Sequence, residues 1–406
     1  MKQDSNNILF FFLFFLFLFL DELFFFVLIL TGSSAEDGMK TLEVAPIAGI
    51  TYAMFVYDFL KGRIKGRVLH VVFFLIAIVL LYWLTQLFHD GANPKYRSSL
   101  LLILAESIPA AYVGTRLAKS SPIAMLNIDR LLPFFVIPIS IVLGIVGIRY
   151  AREAMMMTDD ESGLGYQSIS YFMSYSYAYC AYYVFFSPLK NSKIHRFFRV
   201  IMLPDMLFCT LICLVSGGRG AFVFIILVSI YILFTLGKSM KGHIGYYILI
   251  IIGVSVAFLS AAFYFDIWNS TGMNRVVGSL TDDTERERLY RMAFLAFEES
   301  PIVGQGVGSI WYTVGYYSHN IVMDLLAETG IIGTTIFLSL LIKAFLGLYR
   351  LMRYQKIAVL LSIIFLGALL KNAFSGYYLG AFKLFMMCSY IYVMNNFKKA
   401  HLRKSS

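Results

Sequence analysis

Residues 8–30 read ILFFFLFFLFLFLDELFFFVLIL, an apolar run interrupted only by Asp21 and Glu22. About 20 consecutive apolar residues let a helix cross the hydrocarbon core, where backbone polar groups must be satisfied within the segment. The run is too long for the apolar core of a cleaved leader, and no small-residue cleavage site closes it, so it reads as a retained first membrane helix. Asp21 and Glu22 then lie near the outer interface or face a bundle interior; the alternative is a part in chemistry.

The rest of the chain has the same character. Its 406 residues are 59% hydrophobic, 17% aromatic and 14% charged, with mean hydropathy +0.74, far from the balance of a soluble domain. Further apolar runs fall at 42–60, 68–88, 98–115, 131–149, 168–186, 198–215, 220–236, 245–265, 319–346, 356–371 and 376–396. The expected fold is therefore all-α: a polytopic integral membrane protein of about 12 transmembrane helices, with one large outer loop carrying short amphipathic helices. It divides into a membrane region at 1–265, the loop 266–318, and a second membrane region with a basic tail at 319–406. No internal repeat is visible, which weighs against transporters built from duplicated halves.

Lysine and arginine set the orientation. Lys61, Arg63, Lys65 and Arg67, then Lys190, Lys193, Arg196 and Arg199, then the tail Lys398, Lys399, Arg403 and Lys404 all fall on one side of the expected spans. Basic residues near helix ends stay inside, so both termini are expected in the cytoplasm and 266–318 outside. The net charge of +10 is mostly this orientation signal and does not argue for nucleic acid. The inner connections are short and basic, suited to lipid headgroups. No phosphate-binding loop is present to feed nucleotide chemistry, and Gly304, Gly306 and Gly308 lack the strand-turn-helix setting of a dinucleotide fingerprint.

Cys180, Cys209, Cys213 and Cys388 each sit within an apolar run. Cys209 and Cys213 share a helix face, but no histidine lies nearby at matching spacing, so packing is expected and no metal. There is no disulfide framework.

The chemistry-bearing residues gather in the longest polar interruption, 266–330. Its first half is charged, with Asp282, Asp283, Glu285, Arg286, Glu287, Arg288 and Arg291. Leu289, Met292, Ala293, Ala296 and Phe297 recur at helical spacing, so 285–298 reads as an amphipathic helix. Arg288 and Arg291 can share a face, while Arg286 falls near the helix start. An arginine here either binds an anion or is simply solvated at an interface. His319 and Asn320 follow the glycine turn and open a new apolar helix that carries Asp324 and Glu328, four apart on one face. A histidine at the water–membrane boundary can act as a general base or merely begin the helix. Arg219 stands apart, in the break Ser216-Gly217-Gly218-Arg219-Gly220. Its glycines let backbone and ligand approach closely, and a guanidinium there grips a phosphate in two-pronged fashion or snorkels at a helix end.

Two patches resemble the bacterial O-antigen polymerase and O-antigen ligase superfamily. SGGRGAFVFIIL resembles that family's Ser-Arg-Gly turn opening a helix, with an extra glycine before Arg219. ERERLYRMAFLAFEESPIVGQGVGSI and SHNIVMDLLAETGIIG are similar to its arginine and aromatic, Pro and Gly-x-Gly turn, His-Asn, glutamate and Gly-hydrophobic-Gly run. These place Arg286, Tyr290, Pro301, Gly304, Gly306, His319, Asn320, Glu328, Gly330 and Gly333 on the pattern.

The resemblance implies a metal-independent, inverting glycosyltransferase without a cofactor, in the inner membrane with its active site facing the periplasm. Its donor is a glycan on undecaprenyl diphosphate, and a chain-length regulator is a potential partner. His319 is the expected base, with Arg219 and Arg286 stabilising the diphosphate and Arg288, Arg291, Tyr290, Asn320, Asp324 and Glu328 binding substrate. A repeat-unit polymerase is the leading expectation and a ligase of the same superfamily the nearest alternative. A polysaccharide flippase, the rival from another class, predicts charges spread along a central path and tolerance of His319 loss.

Overall fold

The computed structural model describes residues 5–31, 39–63, 69–86, 100–118, 123–152, 166–189, 192–216, 218–239, 284–352 and 357–405. The expected span at 245–265, loop residues 266–283, most of the acidic loop 150–167 and Gly217 lie outside the described residues. In chain order the helices are α1 Ser5–Leu18, α2 Leu20–Thr31, α3 Met39–Leu60, α4 His70–Gln86, α5 Ile108–Leu117, α6 Ile123–Arg152, α7 Tyr166–Phe186, α8 Lys193–Ser216, α9 Arg219–Ser239, α10 Thr284–Glu299, α11 Ile310–Thr313, α12 Ile321–Met352, α13 Ile357–Phe374 and α14 Phe382–Ser405. A π-turn at Ile103–Ser107 leads into α5, and a 3-10 turn at Tyr378–Gly380 precedes α14.

Among the described residues, four helices are long and apolar enough to cross a membrane: Leu100–Leu117, Ile128–Ile148, Lys193–Ser216 and Ile321–Met352. A fifth is the bent pair Ile8–Leu18 and Leu20–Val27, taken as one span. Shorter apolar helices cover Val44–Leu60, His70–Thr85, Arg219–Thr235 and Ala358–Phe374. The chain is an integral membrane protein.

The opening run is not the single straight helix expected. It breaks at Phe19, and α2 begins with Asp21 and Glu22 in its first turn. Both carboxylates are buried. The break puts them at a helix N-terminus, where unsatisfied N–H groups and the helix dipole favour negative charge, instead of mid-helix.

The described chain divides into two compact units. The first comprises Met1–Leu20, Asp37–Leu126 and Thr284–Ser406. Within it α5 is made for close approach. Ala110, Ala111 and Gly114 are buried, and a Cβ on Gly114 would strike the Met386 backbone of α14. Small residues let helices meet where lipid supplies no hydrophobic drive between them. Tyr112 of α5 donates to Asp58 of α3 at 2.6 Å, and Arg116 pairs with the same carboxylate at 2.7 Å. Phe10 of α1 stands edge-on to Tyr112, with the Arg116 guanidinium 5.0 Å above its ring. A lone buried carboxylate would cost several kcal/mol, so these partners are what admit Asp58 to the core.

The second unit comprises Asp21–Glu36 and Asn127–Asp283. α7 and α8 pack along their lengths. Asp205 of α8 accepts hydrogen bonds from Ser140 Oγ at 2.8 Å and Cys180 Sγ at 3.3 Å. All four cysteines are free and buried, and Cys209 also turns its thiol to Asp205, at 3.9 Å.

Candidate functional site

α10 holds the expected arginines, and its packing separates them. Leu289, Ala293 and Ala296 are buried on the face that meets α12. Arg286 and Tyr290 flank that stripe, both half-buried. Arg288 and Arg291 point outward: Arg288 reaches Met292 Sδ at 3.2 Å. Arg291 makes only a 3.9 Å pair with Glu287, with the side chains 74% and 76% exposed. An exposed pair of that kind contributes little.

The glycine turn after α10 has a structural task that sequence spacing does not reveal. α12 is broken at Gly330, where φ is 59° and ψ −163°. Such a break strands the carbonyls of the turn before it and the N–H groups of the turn after it. The loop after Pro301 supplies both sets of partners. Gln305 and Gly306 donate their N–H groups to the carbonyls of Ala327 and Glu328 at 2.8 and 3.0 Å. The carbonyls of Pro301 and Ile302 accept from Ile331 and Ile332 at 2.9 and 3.2 Å. Gln305 also caps α10, its amide donating to the Ala296 carbonyl at 3.2 Å and to Glu299 Oε2 at 3.0 Å. The backbone groups freed by the break are thus paired within the protein.

His319 sits where this braced half of α12 begins. It is the one non-glycine residue among those described with positive φ, at 61°. Its two neighbours hold it there. The Asn320 side chain caps α12, accepting from the N–H groups of Val322 at 3.0 Å and Met323 at 3.3 Å. Ser318 Oγ accepts from the Asn320 N–H at 3.2 Å, and the Ser318 N–H donates to Asp324 Oδ1 at 2.8 Å. A left-handed histidine costs about 1–2 kcal/mol relative to ordinary backbone, a cost these flanking bonds offset. His319 is half-buried as a residue, and Nδ1 of its ring is buried.

Beneath it lie the two acids. Asp324 and Glu328 are buried. Glu328 accepts from Tyr377 at 2.7 Å and Tyr378 at 2.5 Å, tyrosines in the break before α14. The spacing of the two acids on one face is as expected, and that face meets the protein's own hydroxyls and backbone. Asn320 is likewise engaged as a helix cap. The tyrosines 377 and 378 and Gln305 were not singled out from sequence. Their signals were the Ser-Gly-Tyr-Tyr interruption between two late apolar runs and the polar residue inside Gly-x-Gly.

Arg219 opens α9 in the second unit and is half-buried. Gly218 packs onto α7, its N–H donating to Ser170 Oγ at 3.0 Å, and a Cβ there would collide with the Ser170 side chain. Ser170 also donates to Ser216 at 2.9 Å. A guanidinium beside the N–H groups of a helix start adds its charge to an anion-favouring dipole.

These features define an integral membrane protein with a buttressed, broken helix that presents a strained histidine. Residues 206–338 match the family model described as O-Antigen ligase (Wzy_C). The match contains Arg219, α10 and the histidine segment, and supports the O-antigen ligase and polymerase superfamily, whose members are glycosyltransferase-like enzymes. No curated protein and no solved structure matches the chain.

Proposed function

We propose that the protein is a polysaccharide repeat-unit polymerase of the bacterial inner membrane. It transfers a glycan from undecaprenyl diphosphate to a hydroxyl of an acceptor repeat unit on the periplasmic face. The observation that carries this reading is His319, held left-handed between two capping residues within the segment that matches the family. The acceptor oxygen attacks the anomeric carbon as the bond to the diphosphate oxygen breaks, inverting that centre. The hydroxyl proton passes to His319, and the lipid diphosphate leaves with its electron pair. Arg286 and Arg219 are assigned the growing phosphate charge, a stabilisation that strengthens as the bond breaks, so the step requires no metal. Binding of the repeat unit and lipid orients the reacting groups. The half-buried position of Arg286, against the outward Arg288 and Arg291, supports its choice among the three. Asp324 and Glu328 take a positioning role, bracing the backbone and rings around His319.

A ligase reading is supported by the description of the matching family, and one experiment separates the two. Purified protein is incubated with a lipid-diphosphate-linked repeat unit alone. Lengthening ladders are the expected result. Product that forms only after a lipid A core is added identifies a ligase, and no product under either condition overturns the enzyme reading in favour of transport.

A further inference from the structure

α12 changes character at its break. Between Ile321 and Thr329 only Val322 is exposed. Beyond Gly330 a row of exposed apolar residues begins at once. Ile331 and Ile332 are each 52% exposed, and Ile336, Ile342, Phe345 and Tyr349 continue the row as far as Arg350. Lys343, the one charge within it, lies two turns from that end, where its long stem lets the ammonium snorkel. The tip of the bracing loop joins this row. Ile302 and Val303 are 64% and 65% exposed. The bonds from the Ile331 and Ile332 N–H groups to the Pro301 and Ile302 carbonyls hold the tip level with the first exposed turn of the helix.

We infer that the Pro301–Val303 tip is immersed in the acyl chains of the membrane, and that the hydrocarbon boundary crosses α12 at Gly330 and not at His319. Length is the first argument. The 32 residues of α12 rise about 48 Å, against a hydrocarbon core of about 30 Å. Fitting them all inside would need a tilt of about 50°, beyond the roughly 0–40° of spanning helices. The 19 residues Ile331–Tyr349 match a span by themselves, with the break at one end and exposed Arg350 at the other. A surface covered by a second copy of the chain has no reason to match that length. Backbone chemistry is the second argument. Irregular backbone enters hydrocarbon only when its polar groups are satisfied. Pro301 has no N–H to satisfy, and its carbonyl and that of Ile302 are paired. The lipid then sets the height of the site. From Gly330 back to Ile321 the helix climbs up to about 14 Å, which lifts His319 clear of the hydrocarbon.

All four native cysteines are buried, so one introduced thiol carries a fluorescent label. Full-length Val303→Cys, Val322→Cys and Ile336→Cys are labelled with nitrobenzoxadiazole and placed in nanodiscs of phosphatidylethanolamine and phosphatidylglycerol, with wild type as background. Loss of emission is read with nitroxides held at shallow or deep positions on lipid acyl chains, and with iodide in the water. The Val303 label is expected to lose most emission to the shallow nitroxide and the Ile336 label to the deep one. Iodide should quench the Val322 label and neither of the others. Ile302→Cys takes the place of Val303→Cys if that protein does not fold. Iodide quenching at the tip equal to that at Val322 would put the tip in water, and protection from both quenchers would put protein over it. Nitroxide quenching at Val322 would return the boundary to His319. Each of these three results overturns the inference. None of the readings involves turnover, so the inference stands or falls separately from the transferase reading.

Discussion

The backbone of Gly304 occupies space that a side chain on Gly330 would need, and a side chain on Gly304 would strike the backbone of Glu328 and Thr329. A Cβ on Gly330 would lie 2.7 Å from the Gly304 amide nitrogen, and both residues have positive φ, 75° and 59°. Through this contact the turn after α10 is locked into the break of α12, and the helix that begins at His319 is held from behind.

The lock makes a graded prediction about glycine substitution. Gly315 also has positive φ, 81°, yet a Cβ there meets nothing within 4 Å. Gly315→Ala should therefore cost only the backbone strain, about 1–2 kcal/mol. Gly330→Ala adds a collision with the backbone of Ile302 and Gly304, and backbone cannot rotate away as a side chain can. Overpacking of that kind contributes a further ~1–3 kcal/mol. Thermal unfolding of the three proteins in one detergent should rank wild type, Gly315→Ala and Gly330→Ala in falling order. Equal losses for the two alanines would show that the interlock carries no weight.

His319 should separate stability from activity. Asparagine tolerates the left-handed region well and has no basic nitrogen. His319→Asn should keep or slightly raise the melting temperature while transfer falls by about 10²–10⁴-fold, the usual loss of a well-placed base. His319→Ala should lose the same activity without that gain in stability. A His319→Asn protein with more than a tenth of wild-type transfer would remove the base assignment.

Glu328 and Tyr378 should be energetically coupled. Their hydrogen bond is 2.5 Å long and buried. A hydrogen bond contributes about 0.5–1.5 kcal/mol net, and leaving one buried partner unsatisfied costs about 1–3 kcal/mol. Glu328→Gln and Tyr378→Phe should each destabilise the fold, and the double variant should lose clearly less than the sum, with a coupling of about 0.5–3 kcal/mol. Strict additivity in denaturant titrations would mean the contact is incidental.

Which parts of this molecule could be read from sequence follows from how local their causes are. Apolar length and the stripe of Leu289, Met292, Ala293, Ala296 and Phe297 depend on neighbours three or four residues away; Leu289, Ala293 and Ala296 are buried as that spacing requires, and Met292 and Phe297 are half-buried. The helix start at Asn320 is also written locally, as an amide residue before an apolar run, and its side chain caps that helix. The break at Gly330 was not legible, because its partners are the carbonyls of Pro301 and Ile302, in another element. Tyr377 and Tyr378 look in sequence like interfacial aromatics; only the fold brings them onto Glu328. Asp21 and Glu22 are buried, in line with an interior-facing reading, but the Phe- and Leu-rich run around them does not announce the helix break at Phe19.

The arginines of α10 offer the most direct contrast between exposure and function. Arg288 and Arg291 are solvated on the outward face, and the 3.9 Å pair between Arg291 and Glu287 is screened by water. Removing either charge should change transfer by less than about threefold, in line with the small worth of exposed pairs. Arg286 flanks the face that packs on α12, where a charge works in a lower dielectric and cannot be replaced by solvent. Arg286→Ala should abolish transfer with membrane insertion intact. Arg286→Lys discriminates further, because lysine keeps the charge and loses the planar fork that binds a phosphate through two bonds. If the contact is two-pronged, the lysine variant should retain less than about a tenth of wild-type activity, a loss of at least about 1.4 kcal/mol. A fully active Arg286→Lys would leave a simple point charge. An Arg288→Ala or Arg291→Ala protein as inactive as Arg286→Ala would move the diphosphate contact to the outward face of α10.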